Sequence, residues 1–425
     1  MSLNHTPSGE RIHIGFFGRR NVGKSSLVNA VTGQDLAVVS ETKGTTTDPV
    51  SKSMELLPIG PVVIIDTPGF DDEGHLGQLR VKKTREVLGR TDVAVLVAEA
   101  GAPLADCEQD LIGLFAERKI PYIIAWNKCD LLPEAQTASD DASAVRNGQP
   151  AGGFEAAGSR QEPEAASGSG AAHEIYVSAR DLTNIYELKE LIGHVGKDEE
   201  KEHRLAADLI SPGDLVVLVI PIDKAAPKGR LILPQQQVIR DVLDADGIAA
   251  CVKENELKHY LSTLSTPPAL VVTDSQAFEQ VNRDTPQEIP LTSFSILMAR
   301  YKGFLDDAKA AVAAVENLRD GDTVLISEGC THHRQCDDIG TYKLPKWLKE
   351  YTGKDFEIET SSGKGFPEDL TKYALILHCG GCMLNDREIT TRMRRAKAQG
   401  VPMTNYGVFI AYVKGILQRS LAILS

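Results

Sequence analysis

The chain has 425 residues, enough for two or three separately packed cores rather than one. Its 42% apolar and 25% charged composition is that of globular sequence, and no apolar run approaches the roughly 18 residues a membrane-crossing helix needs. A formal charge of −13 argues against a nucleic-acid-coating role, which clustered Lys and Arg would have to supply, and the polar start Met1–Arg11 lacks the basic flank and apolar centre of a secretory signal. The expectation is therefore a cytoplasmic chain with neither a membrane nor a nucleic acid as partner.

From Ile12 to about Gly196, short apolar runs alternate with helical stretches, the pattern of βαβ units on a mostly parallel sheet. Strands are expected at Ile12–Phe17, Val62–Asp66, Val93–Ala98, Tyr122–Trp126 and Glu174–Val177, each apolar nearly throughout, as a strand covered on both faces should be. A helix is expected over Ser26–Val31. Ala135–His173 is rich in Ala, Gly, Ser, Gln and Glu, with only Val145 and Phe154 as large apolar residues, and reads as a flexible insertion. The charged stretch Lys197–His203 closes this first domain, residues 1–196. Over residues 197–300, strand and helix patterns alternate again through Leu215–Ile220, Val238–Leu243, Ala269–Val272 and Phe294–Leu297. This second, smaller α/β unit contains no phosphate loop and no catalytic constellation, which suits a dimerisation or assembly role. Residues 301–425 hold four of the seven cysteines, a strand at Tyr373–Leu377, and the basic run Arg392-Met393-Arg394-Arg395, which reads as a solvated helix face.

The first chemical motif follows the first strand directly. Gly18, Gly23, Lys24 and Ser25 satisfy the G-x-x-x-x-G-K-[ST] phosphate-loop pattern in its required strand–loop–helix context, with Asn21, Val22 and Ser26 completing the loop. Glycines let backbone N–H groups approach phosphates, the helix N-terminus favours negative charge, Lys24 reaches the β/γ oxygens and Ser25 ligates Mg2+. Asp66-Thr67-Pro68-Gly69 ends another apolar strand, so Asp66 can hold Mg2+ and the Gly69 N–H can meet the γ-phosphate. Asn127-Lys128-Cys129-Asp130 resembles the N-K-x-D guanine motif, in which the Asp carboxylate accepts from guanine donors that adenine lacks, and Val177-Ser178-Ala179 resembles the last base-binding element. Gly44-Thr45-Thr46-Thr47-Asp48 resembles the G-T-T-x-D switch of the tRNA-modification and ribosome-assembly GTPases, which would make Thr46 the threonine that meets Mg2+ and the γ-phosphate. Phe70 stands where small regulatory GTPases carry a water-orienting Gln, so hydrolysis should be slow without further help. Asn21 sits where this group places an asparagine that helps bind K+, an ion able to replace an arginine finger. The alternative is that Asn21 only caps the loop.

The third segment contains Cys330-Thr331-His332-His333-Arg334-Gln335-Cys336-Asp337 and, downstream, His378-Cys379-Gly380-Gly381-Cys382 at a strand end. In a cytosolic chain such cysteines are poor candidates for a disulfide framework. A C-x-x-C alone is shared by zinc, iron–sulfur and redox sites, but a distant Cys-x-His in the same segment favours metal. Three thiolates, Cys330, Cys379 and Cys382, with an exchangeable fourth position suit a 4Fe-4S cluster better than a structural zinc. Cys336, Asp337 or a histidine remain candidates for that position. Cys107, Cys129 and Cys251 stand alone and read as packing or surface residues.

Taken together, these motifs resemble the FeFe-hydrogenase maturation GTPases, and the resemblance covers nearly the whole chain except Ala135–His173. It implies a P-loop GTPase domain, an α/β dimerisation domain and an α/β iron–sulfur domain in a homodimer. It implies GTP, Mg2+, a 4Fe-4S cluster and a transient di-iron precursor, received from two radical S-adenosylmethionine maturases and delivered to FeFe-hydrogenase apoprotein. Carried over by position, Cys330, Cys379 and Cys382 are cluster ligands, and His332 and His378 the motif histidines, His378 either ligating or donating to sulfur from behind the ligands. An RNA-associated GTPase with a structural zinc module is the alternative reading.

Overall fold

The computed structural model describes residues 6–34, 49–69, 83–132, 146–147, 173–196, 204–222, 231–329, 339–363 and 365–424. Thr46, Phe70, Cys330, His332, Cys336, Asp337, the charged stretch at 197–203 and nearly all of the insertion lie outside them. The chain divides into two compact units, Met1–Glu199 and Glu200–Ser425.

The first unit is a seven-stranded sheet in the order β2-β3-β1-β4-β5-β7-β6. Its strands are β1 (Ile12–Phe17), β2 (Val50–Leu56), β3 (Gly60–Asp66), β4 (Val93–Glu99), β5 (Tyr122–Asn127), β6 (Arg146–Asn147) and β7 (His173–Tyr176). The five inner strands run parallel, while β2 pairs antiparallel with β3 and β6 with β7 at the edges. Helices α1 (Lys24–Thr32), α2 (residues 83–88), α3 (Asp106–Glu117) and α4 (Ile185–Val195) cover its faces. Alternation along the strands splits the core in two. Ile14, Phe16, Val93, Val95 and Val97 pack beneath α1 and α4, whereas Phe17, Ala94, Leu96 and Ala98 pack with Phe115 of α3. The sequence pattern misses β2, whose side chains are exposed or half-buried up to Leu56 and so carry no apolar run.

The second unit holds two four-stranded parallel sheets, β11-β10-β8-β9 and β13-β12-β14-β15. The first comprises β8 (Leu215–Val219), β9 (Ile248–Val252), β10 (Leu270–Thr273) and β11 (Leu291–Ser293), with helices α5 (Leu233–Asp244), α6 (Leu257–Thr263), α7 (Phe278–Asp284) and α8 (Phe294–Tyr301). The second comprises β12 (Thr323–Glu328), β13 (Glu357–Ser362), β14 (Tyr373–His378) and β15 (Met403–Asn405), with α9 (Leu305–Val312), α10 (Leu344–Thr352), α11 (Asp386–Ala398), α12 (Tyr406–Val413) and α13 (Leu417–Leu421). Helix α8 belongs to both cores: Phe294, Leu297 and Met298 pack with Val216, Leu218 and Val242, while Ile296 and Ala299 pack with Leu375, Leu377 and Phe409. The basic run of α11 departs from the solvated-face expectation. Arg394 is exposed, but Arg392 is 4% exposed because its guanidinium is taken up by the buried His378 ring of β14, the Gly363 carbonyl just after β13 and Glu388 of its own helix.

Candidate functional site

In the first unit the four sequence motifs meet at the carboxyl ends of β1, β3, β5 and β7, where a parallel α/β sheet opens its crevice. The loop after β1 passes so close to β4 that a Cβ on Gly18 would lie 2.6 Å from the Val97 carbonyl oxygen. Asn21 takes a positive φ of 64° and Gly23 one of 85°, the turn that delivers Lys24 and Ser25 to the first turn of α1, with Ser26 beside them. Lys24 Nζ is ion-paired with Asp66 Oδ1, and Ser25 Oγ donates to Asp66 Oδ2 at 3.0 Å. Gly69 abuts the loop from the β3 side, where a Cβ would sit 2.6 Å from Arg20 Cγ. Arg19 is anchored at 2.9 Å by Glu108, a fully buried carboxylate on α3 that sequence reasoning did not single out.

Asn127 joins three of these motifs. Its Nδ2 donates to the Val22 carbonyl at 2.9 Å, and its Oδ1 accepts from the Ala179 N–H at 3.1 Å. Lys128 adopts φ 64° and pairs with Glu99 at 3.0 Å, while Asp130 is exposed in the turn that follows. Ser178 is buried, and its Oγ accepts from the Asp181 N–H at 3.1 Å. A hydroxyl and a carboxylate converging beside an ammonium fit a magnesium-bound polyphosphate, since the oxygens are hard donors for the cation and Lys24 is a point charge for phosphate.

The second candidate site lies at the carboxyl end of β14. Cys379 Sγ accepts from the Gly329 N–H at 3.0 Å and the Gly381 N–H at 3.4 Å, so two backbone donors already aim at the sulfur. Burial raises the Cys379 thiol above its ordinary range, and these two N–H groups partly offset that. Gly381 has φ 65°, and a Cβ there would lie 2.1 Å from Ile389 Cδ1. This donor set fits a thiolate-bound metal, because N–H···S bonds stabilise the charged sulfur that such a metal takes. Among the described residues, no group of three or more His, Cys, Asp or Glu side chains is assembled as a metal shell.

His378 is fully buried, and both ring nitrogens are engaged within the protein. Nδ1–H donates to the Cys379 carbonyl at 2.7 Å, and Nε2 accepts from Arg392 Nη1 at 3.1 Å, the only role open to it opposite a guanidinium. Burial, with the neighbouring Arg392 charge, lowers its pKa to about 3 and keeps the ring neutral. Arg392 in turn donates from Nη2 to the Gly363 carbonyl and to Glu388, both at 2.6 Å, and lies over the Phe366 ring. His378 thus braces the turn through the Cys379 carbonyl, with neither ring nitrogen bonded to a sulfur. The only local trace of Arg392 in the sequence is its i,i+4 spacing from Glu388.

The first unit thus has the fold and motif placement of a P-loop GTPase domain. Residues 13–128 match the family model described as 50S ribosome-binding GTPase, residues 205–303 the Hydrogen maturase F dimerization domain, and residues 307–423 the Hydrogen maturase F tetramerization domain. With both of that family's own domains following a GTPase domain, the chain belongs to the Hydrogen maturase F family. Among curated proteins it is 37% identical over 132 residues to GTPase Der of Wolinella succinogenes, covering 30% of this chain and 27% of that one. It is 35% identical over 127 residues to GTPase Era of Carboxydothermus hydrogenoformans, covering 29% of this chain and 42% of that one. The chain therefore spans about a quarter of the length of the first of these relatives. Among solved structures, Era of Aquifex aeolicus matches at 16% identity and TM-score 0.32, covering 64% of this chain and 97% of that one. The G domain of the T. maritima FeoB iron transporter matches at 21% identity and TM-score 0.27, covering 44% of this chain and all of that one. Among the described residues, no helix is long and apolar enough to cross a membrane.

Proposed function

We propose that this chain hydrolyses GTP and serves as a scaffold in FeFe-hydrogenase maturation, carrying a 4Fe-4S cluster and a di-iron precursor that it hands to the hydrogenase apoprotein. The observation that carries this reading is the amide-cradled Cys379 thiol, set in a C-x-x-C turn of a Hydrogen maturase F domain that shares its chain with a P-loop site. Cys330, Cys379 and Cys382 hold the cluster, with the fourth position taken by Cys336, Asp337 or a histidine. His378 orients the turn.

In the GTPase unit, Lys24 binds the β/γ-phosphates and Ser25, Thr46 and Asp66 hold Mg2+. Gly69 meets the γ-phosphate, and Asp130, Ser178 and Ala179 read guanine, with Asn127 and Lys128 framing the base. Mg2+ supplies charge neutralisation of the phosphates. Turnover is slow for want of a glutamine at Phe70, and K+ held near Asn21 accelerates it. The protein works in the cytoplasm as an oligomer, with two radical S-adenosylmethionine maturases supplying its cargo.

The test is anaerobic purification followed by iron, sulfide and zinc analysis, then incubation with inactive apo-hydrogenase after co-expression with the two radical enzymes. Iron and sulfide near four per chain before loading, and hydrogenase activity after it, are expected. Stoichiometric zinc from iron-replete cells, or no activation by a loaded sample, would overturn the reading.

A further inference from the structure

The two sheets of the second unit are copies of one another. Read from the edge, both run second, first, third, fourth strand: β9-β8-β10-β11 and β13-β12-β14-β15. Their last crossovers align residue by residue: Ile289-Pro290-Leu291-Thr292-Ser293-Phe294 against Val401-Pro402-Met403-Thr404-Asn405-Tyr406, and Lys302-Gly303 against Lys414-Gly415. The same bonds recur in each copy. Val271 N–H donates to the Pro290 carbonyl and Ile376 N–H to the Pro402 carbonyl, both at 2.9 Å. Ser293 caps α8 and Asn405 caps α12, and Gly303 and Gly415 end those helices at φ 74° and 69°.

The helices α8 and α12 meet, with Asn405 Nδ2 donating to the Ser295 carbonyl at 3.3 Å and Oγ at 3.1 Å. Each helix ends in a lysine that crosses into the other copy, to the helix following the third strand there. Lys414 Nζ reaches Glu279 of α7 at 3.0 Å, and Lys302 Nζ reaches Asp386 of α11 at 3.0 Å. The exchange is symmetric in its partners but not in its depth: the Lys302 side chain is 3% exposed, that of Lys414 27%. Among the described residues, Lys302 has a second hydrogen bond, to the Leu384 carbonyl at 2.7 Å, whereas Lys414 has instead the face of the Trp347 ring, 5.6 Å from its centre. Leu384 closes the thiolate turn, its N–H donating to the Gly381 carbonyl at 2.9 Å, and its side chain fills the space beside Gly329. Gly380, within the turn, lies against Met298 of the same helix α8.

We infer that Lys302 is a positioning residue for the Cys379–Leu384 turn: a buried cation from the dimerization domain that fixes the backbone carrying two of the thiolates. The inference rests on the reading of Cys379 and Cys382 as cluster ligands. Asp386 is 36% exposed and can turn to water, but the Leu384 carbonyl meets the ammonium in a buried bond and is left without that partner once it is removed, so the turn must loosen. The equivalent Lys414 has no such carbonyl to hold, which makes it a matched control.

The experiment compares Lys302→Met with Lys414→Met in the full chain, with two readouts. Reconstituted protein is challenged with an iron chelator and its reduced cluster recorded by electron paramagnetic resonance. Iron release about tenfold or more faster in Lys302→Met, with a changed spectrum, is expected, the scale typical of losing a group behind a metal ligand. Lys414→Met should behave like wild type. Separately, in metal-free protein, iodoacetamide labelling of Cys379 and Cys382 should be faster in Lys302→Met alone. Equal release, spectra and labelling in the two variants would overturn the inference. A wild-type chain that takes up no iron would sink the cluster reading by itself, and the labelling rates would still decide the role of Lys302. Where Lys302→Met does not fold, Lys302→Gln, with a shorter donor, takes its place in the same comparison.

Discussion

Replacing Asn127 with alanine should unfasten the nucleotide site by cutting the strut between the phosphate loop and the last base-binding element. Asn127 is 2% exposed, and its amide spans from the Val22 carbonyl to the Ala179 N–H. Truncation strips both bonds and strands one acceptor in the phosphate loop and one donor in the last base-binding element. Each orphaned buried group costs about 1–3 kcal/mol, and the partial exposure of Ala179 puts its share at the low end, so the sum is about 2–4 kcal/mol. That is a large fraction of the roughly 5–15 kcal/mol that holds a domain together. Urea unfolding of nucleotide-free protein reads it out, followed by the fluorescence of Trp126, which precedes Asn127 on β5. Trp347 of the second unit is first replaced by Phe so that only the GTPase unit reports. GTP affinity should fall at least about tenfold, the equivalent of 1.4 kcal/mol lost from the bound geometry. Asp130→Asn, at an exposed side chain, should leave stability unchanged and alter base choice instead. An alanine variant that unfolds within about 0.5 kcal/mol of wild type and binds GTP as tightly would refute the strut.

Lys24→Ala should abolish phosphate release from GTP while leaving iron content unchanged, because Lys24 and Cys379 lie in different compact units; parallel loss of iron would show the functions to be inseparable. Turnover should be faster in K+ than in Na+ of equal ionic strength, and Asn21→Ala should erase the difference; equal wild-type rates would remove the ion. Gly381→Ala combines a positive φ with a Cβ 2.1 Å from Ile389 Cδ1, so reconstitution should give a chain poor in iron, and full occupancy would count against the turn as the binding site. The Tyr351 phenol, which donates to Glu316 at 2.7 Å, should titrate at about 12, since a carboxylate acceptor favours the protonated form. Glu316→Gln should bring it back toward 10 by tyrosine-labelled NMR, and an unmoved titration would break the assignment.

What the sequence reveals depends on whether a feature is local. The phosphate loop and the bounds of β1, Ile12–Phe17, can be read directly because the motif spacing and the strand beneath it belong to one short stretch. Strands β3, β4 and β5 show as apolar runs because helices cover both faces. At the edges that signal fails: β2 is exposed, and β13 reads Glu-Ile-Glu-Thr-Ser-Ser, a polar string whose partner is β12. Arg392 looks like one more charge on a soluble helix, since its partners His378 and Gly363 are distant in sequence. Lys302 carries no sign of its own. Only the recurrence of its Lys-Gly pair after matching strand–helix junctions marks it, and that pattern gains meaning when the two copies are laid on the same topology.

Helix α8 lends one face to each of two cores, so the boundary between the two matched domains, near residue 304, is a border on paper only. Cutting there would strip Ile296 and Ala299 from the sheet that carries Cys379 and leave them uncovered, while Phe294 and Met298 would stay with their own sheet. Two layers that share a girder open together or stay shut together, in the manner of a single cooperative folding unit. A lesion in the core of the first sheet is therefore felt at the turn that carries Cys379. Lineages of this chain are accordingly expected to inherit the pair whole, with recombination breakpoints falling before residue 205 rather than between the halves.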